Sequence, residues 1–170
     1  MMIERVKLAA FAIAIGAAAT ILGAFFFQYV LGYQPCPLCL DQRIAYYVCI
    51  PLAIFVVMGA SVGSSRKVLL LAFAAIALAM LFNAGLGVYH SGIEWKLWAG
   101  PKDCSGPLNS LGSTGGLLSQ LNEIHIARCD DAAWRFLGIS LAGYNVAISL
   151  VLAGIAVCGV TFARKLADPA

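Results

Sequence analysis

The sequence predicts an all-α, integral membrane four-helix bundle with a long outer loop that carries a short amphipathic helix. Three observations predict it. Of the 170 residues, 62% are hydrophobic and only 11% charged, where a soluble domain carries about 25% charged residues. The mean hydropathy is +0.90. The few charges are clustered, which leaves four apolar runs near the roughly 20 residues that a bilayer crossing needs.

The spans fall at about residues 8–31, 44–60, 68–89 and 137–162 of a single membrane domain, 1–170. The first follows Arg5 and Lys7, but it is too long for the roughly 7–15-residue apolar core of a signal peptide and reads as a retained helix. Its small residues Ala12, Gly16, Ala19 and Gly23 stand at spacings that let a second helix approach. The second is the shortest and contains Pro51, where a kink is expected, since neighbouring helices satisfy the freed backbone groups. Asn83 in the third span and Asn145 in the fourth read as polar links between helices. Trp95, Trp98 and Trp134 read as an interfacial belt.

Orientation follows from the basic residues. Arg5, Lys7, Arg66, Lys67, Arg164 and Lys165 lie in three short segments, and the other basic residues are diluted by acids in the remaining connections. That bias puts both termini in the cytoplasm. The formal net charge of +3 belongs to topology. No basic patch interleaved with aromatics points to nucleic acid.

The outer side then holds the chemistry. The first outer connection contains PCPLCLDQR, residues 35–43, with Cys36 and Cys39 two residues apart. The second, about residues 92–136, contains Cys104 and Cys129. These four cysteines share the compartment in which disulfides persist. Cys49 and Cys158 lie inside spans at depths differing by roughly 20 Å, so they read as packing residues. Zinc is disfavoured, because structural sites combine two close Cys motifs and only Cys36/Cys39 is close. Structural disulfides are the plainer alternative. Against them, a Cys-X-X-Cys at a helix start favours a lowered thiol pKa and exchange. Arg43, four residues after Cys39, adds a cation on the same helix face. Residues 99–116, AGPKDCSGPLNSLGSTGG, are dense in turn formers. Residues 117–126, LLSQLNEIHI, alternate enough to predict a short surface helix.

The Cys-Pro-Leu-Cys motif at the second span, Arg43 four residues on, two separated cysteines in the second outer loop and GVYHSGIEWKLWAGPKDC after the third span together resemble the DsbB family of quinone-coupled thiol oxidases. The resemblance covers nearly the whole chain. It implies a Cys104–Cys129 disulfide that a soluble periplasmic thioredoxin-like (DsbA-like) dithiol attacks, with Cys104 forming the mixed disulfide. It implies that Cys129 passes electrons to Cys36 and that Cys39 faces a quinone, ubiquinone or menaquinone, beside Arg43 and His90. It also implies the bacterial inner membrane as location. Glu94 lies near enough to His90 in sequence to tune it. A homologue dedicated to one partner (the DsbI type), a disulfide-braced scaffold and a metal-handling membrane protein are the alternatives.

Overall fold

A computed structural model describes residues 1–101 and 128–166. Cys104, the turn-rich stretch 102–116 and the expected surface helix at 117–126 lie outside the described residues.

Four helices are long and apolar enough to cross a membrane. Helix α1 (Met2–Phe25) continues into a π-helical segment, Phe26–Val30. Helix α2 is Pro37–Ser61, α3 is Arg66–Glu94 and α4 is Leu141–Arg164. They pack as a ring: α1 on α2, α2 on α3, α3 on α4, and α4 back on α1, with α3 and α4 in the most extensive contact.

Hydropathy and helicity do not end at the same residues, and the difference matters for the site. The second helix begins at Pro37, seven residues before the apolar run at 44. Proline at the first helical position lacks only an N–H that would be unpaired there anyway, and Asp41, Gln42 and Arg43 interrupt hydropathy without interrupting backbone hydrogen bonds. The third helix runs on past Tyr89 through His90 to Glu94. The fourth begins later than 137, because Arg135–Phe136 (β1) and Ile139–Ser140 (β2) form a small antiparallel hairpin. Its two turn residues, Leu137 and Gly138, have φ of 50° and 80°, the positive pair that a type I′ turn demands. Ser140 then caps α4, its Oγ accepting the Gly143 N–H at 3.2 Å.

The core is built from small and branched residues: Ala10, Ile13 and Ala17 of α1, Ala53 and Val56 of α2, Phe73 and Ile76 of α3, Ala156 of α4. The expected stripe on α1 is corrected here. Ala12 and Ala19 are exposed, and only Gly16 of that set meets a neighbouring helix, where an added Cβ would sit 3.0 Å from Leu152. The stripe was one register off, since it rested on small size alone; the buried face also contains Ile13 and Ile21. Asn83 and Asn145 do join helices: Asn83 Nδ2 donates to Asn145 Oδ1 at 3.2 Å, and Tyr46 of α2 donates its hydroxyl to the same oxygen at 2.6 Å. Cys49 is fully buried in this core and Cys158 is exposed.

Candidate functional site

One end of the ring, where α2 starts and α3 stops, collects the candidate side chains. Cys36 is the N-cap of α2, and its Sγ accepts the backbone N–H of Cys39 at 3.3 Å. That first turn brings the two sulfurs to 2.7 Å from each other, so a small rotation of either side chain reaches disulfide geometry. The hydrogen bond with Cys39, then burial, raises the pKa of the Cys36 thiol above its ordinary value.

Arg43 lies one turn inward on the same face. Its Nη1 donates to Gln28 Oε1 at 2.7 Å, and its guanidinium sits 5.6 Å from the centroid of the Phe25 ring, a cation–π distance. The end of α1 thus holds the cation in place. His90 arrives from α3. Its Nε2 is 3.6 Å from Cys36 Sγ, and its Nδ1 is 2.9 Å from Gln42 Nε2. Glu94, one turn beyond His90, is buried, with Oε1 3.9 Å from His90 Nε2.

Cys129 is fully buried and packs in one cluster with Cys36, Leu38 and Ile93. The residue after it ties this segment to the end of α3. Lys96 Nζ donates to the Asp130 carbonyl at 2.6 Å and to Oδ2 at 3.1 Å, and Arg128 Nε donates to Oδ1 at 2.9 Å. Hydrogen bonds from Arg128 and then Lys96 hold the Asp130 carboxyl well below the usual carboxylate range.

Two cavities meet at Cys39 and His90. The larger, about 620 Å³, runs between α1, α2 and α4 and is walled by Gly23, Phe27, Arg43 and Trp134 among others. The smaller, about 320 Å³, lies toward the connections and reaches Cys36, Glu94, Arg128 and Asp131. Ala19 and Gly23, expected to seat a helix, instead leave room in the larger cavity. An apolar chamber with a few convergent polar groups is the usual form of a small-molecule site. Here Arg43, Gln42 and His90 supply those groups.

The family model of the disulfide bond formation protein DsbB matches residues 6–159. The chain belongs to the DsbB family. Curated relatives agree. The disulfide bond formation protein B of Xanthomonas oryzae pv. oryzae (strain MAFF 311018) is 34% identical over 134 residues, covering 72% of each chain. That of Xanthomonas axonopodis pv. citri (strain 306) is 33% identical over the same length and share, and that of Xylella fastidiosa (strain Temecula1) is 29% identical over 139 residues, 79% of each chain. No solved structure matches the chain. As a DsbB-family protein it is a multi-pass membrane protein of disulfide bond formation, with disulfide oxidoreductase activity.

Of the residues singled out in the DsbB-like sequence, Cys36, Cys39, Arg43, His90 and Cys129 converge on one site, and Cys104 lies outside the described residues. Gln42, Gln28 and Phe25 escaped the sequence reading. Gln42 had a signal: it lies three residues after Cys39, on its helix face. Gln28 and Phe25 had none, since they reach Arg43 from another helix. Trp134, expected in an interfacial belt, walls the larger cavity, against Phe27 at 5.0 Å between ring centroids.

Proposed function

We propose that this chain is a quinone-coupled thiol oxidase of the bacterial inner membrane. It reoxidises a soluble periplasmic thioredoxin-like dithiol partner and delivers the electron pair to membrane quinone. One observation carries the reading: Cys39 lies beside Cys36 and also in the wall of the apolar cavity with Arg43 and His90.

The exchange steps balance as follows. The partner's thiolate attacks a Cys104–Cys129 disulfide at Cys104. The partner's second thiol displaces Cys104, so the partner leaves oxidised and Cys104 and Cys129 become a dithiol. Cys129 attacks a Cys36–Cys39 disulfide at Cys36 and expels Cys39 as thiolate. Cys104 then displaces Cys36 from Cys129, which restores the outer disulfide. Burial of Cys129 against Cys36 supports that order, because exchange needs sulfurs in reach. A quinone in the cavity supplies a two-electron, two-proton acceptor. Arg43 is suited to stabilise negative charge beside Cys39, and His90 Nε2 to hold a proton next to Cys36.

The whole chain, 1–170, acts as one domain, with both termini cytoplasmic and the loop at about 92–136 periplasmic. The basic segments at the cytoplasmic ends support this.

The test is anaerobic mixing of the purified protein with the reduced dithiol partner and quinone, followed by non-reducing gels. Turnover should reduce quinone. Mixed instead with the oxidised partner, Cys129→Ala should form a partner adduct on Cys104, whose thiolate opens the partner's disulfide and has no Cys129 to release it, and Cys104→Ser should form none. Adducts in the reverse pattern would invert the attack order.

A further inference from the structure

We propose that the reduced protein binds one thiophilic divalent cation of the Zn²⁺ class through Cys36, Cys39, His90 and Glu94, and that this ion blocks turnover. The donor atoms of the first three residues all lie within 4.8 Å of one another. Cys36 Sγ and His90 Nε2 are 3.6 Å apart. A tetrahedral ion with bonds of about 2.3 Å to sulfur and about 2.0 Å to nitrogen separates two such donors by about 3.5 Å. The two sulfurs need only open from 2.7 Å to about 3.8 Å by the same bond lengths.

Glu94 stands beside the set, outside the 4.8 Å that encloses the other three donors, and a turn of its side chain brings it to the fourth position. Its side chain is only 5% exposed, Oε1 is 3.9 Å from His90 Nε2, and Oε2 has no hydrogen-bond partner among the described residues. A buried carboxylate oxygen without a partner is expensive, and a cation at this point satisfies it. Gln42 serves as the orienting group behind the histidine, 2.9 Å from Nδ1. A half-turn of the Gln42 amide presents its oxygen to an Nδ1–H and leaves the Nε2 lone pair for the metal. The cation enters by the smaller cavity, which reaches Cys36, Glu94 and Asp131 from the side of the connections. Sequence spacing hides such a site, because His90 lies 54 residues from Cys36.

Binding is gated by oxidation state. The dithiol form releases two thiol protons as two sulfur–metal bonds form. A Cys36–Cys39 disulfide has no thiolate to offer. The blocking effect, though not the ion site, rests on the proposed thiol-to-quinone relay: a bound ion removes both thiolates and the His90 nitrogen from it.

The experiment uses full-length protein in detergent, reduced with a phosphine and kept anaerobic. Zn²⁺ is titrated against a chromophoric chelator, and Co²⁺ is added as a spectroscopic probe of thiolate ligation. The reduced chain should bind one ion and the oxidised chain none. A Cys104→Ser/Cys129→Ala double variant should still bind one. Cys36→Ser should lose the thiolate–Co²⁺ signal, and Gln42→Leu, with helical circular dichroism unchanged, should bind about 10–100-fold more weakly. Binding that survives Cys36→Ser, or that vanishes only in the double variant, overturns the site, as does a folded reduced chain that binds nothing. Zn²⁺ should stop quinone reduction and a chelator should restore it. Ion binding with undiminished quinone reduction overturns the block. Metal-free protein that never reduces quinone counts against the relay and leaves the binding result standing.

Discussion

Cys39 faces two environments. One side meets Cys36 at 2.7 Å and the other enters a cavity of about 620 Å³, and the residues around it divide accordingly. Arg43 belongs to the cavity side, held by Gln28 and Phe25. Arg43→Ala should therefore lower kcat/KM for quinone by about 10²-fold or more, as loss of an oxyanion donor does. Arg43→Lys should do less harm, because it keeps the charge and loses the planar fork. Thiol exchange with the protein partner should be unchanged in both, and separate assays of the two half-reactions check this. A residue that only anchored the helix to headgroups would lower yield and leave the quinone kinetics of the surviving protein intact. The spare cysteines should behave as packing groups. Cys49→Ala should keep its turnover and cost about 1 kcal/mol of stability, and Cys158→Ala, being exposed, should cost less; thermal unfolding with an activity assay measures both. Arg43 was legible because helical spacing relates it to Cys39. Gln28 and Phe25 were not, since one glutamine and one phenylalanine in an apolar run carry no mark of the neighbour they will meet.

At the level of helices, their number was legible from apolar runs, and their ends and lengths were not: the second run, the shortest, lies in a helix of 25 residues, against 24 for α4. Proline at the start of α2 and the tight turn at Leu137–Gly138 set ends by backbone chemistry that hydropathy does not register. The ring of helices also depends on specific small residues. A Cβ added at Gly159 would clash with the Phe73 ring, whereas one at Gly154, on the same helix, meets nothing within 4 Å among the described residues. Gly159→Ala should destabilise the protein by about 1–3 kcal/mol, the range for overpacking. Gly154→Ala should be neutral or slightly stabilising, because alanine is the better helix former. Unfolding midpoints in detergent distinguish them, and equal midpoints would mean that α3 and α4 do not pack at Gly159. Tyr46→Phe should lower the unfolding free energy by about 0.6 kcal/mol, typical of a hydrogen bond between membrane helices, because it removes the bonds to Asn145 and Ser149 that join α2 to α4.

The whole molecule places a thiol pair where an apolar chamber and a cavity open toward the connections meet. In the proposed relay the two partners arrive by different routes, one through lipid and one through water. The proposed topology, which rests on the bias of basic residues, predicts that a reporter active only outside the cytoplasm works when fused after Ser110 and fails after Gly63, and strong activity at Gly63 would reverse the orientation. The convergence of Cys36, Cys129 and His90 could not be read from sequence by physics alone, since it depends on how three distant segments meet at one end of the ring. The central claim is that Cys39 joins protein thiols to quinone. Stoichiometric anaerobic mixing of the fully reduced chain with a soluble quinone, followed by the loss of quinone absorbance, tests it most directly. Cys104→Ser should still reduce one quinone per chain, and Cys39→Ser should reduce none; full reduction by folded Cys39→Ser, or none by Cys104→Ser, would contradict it.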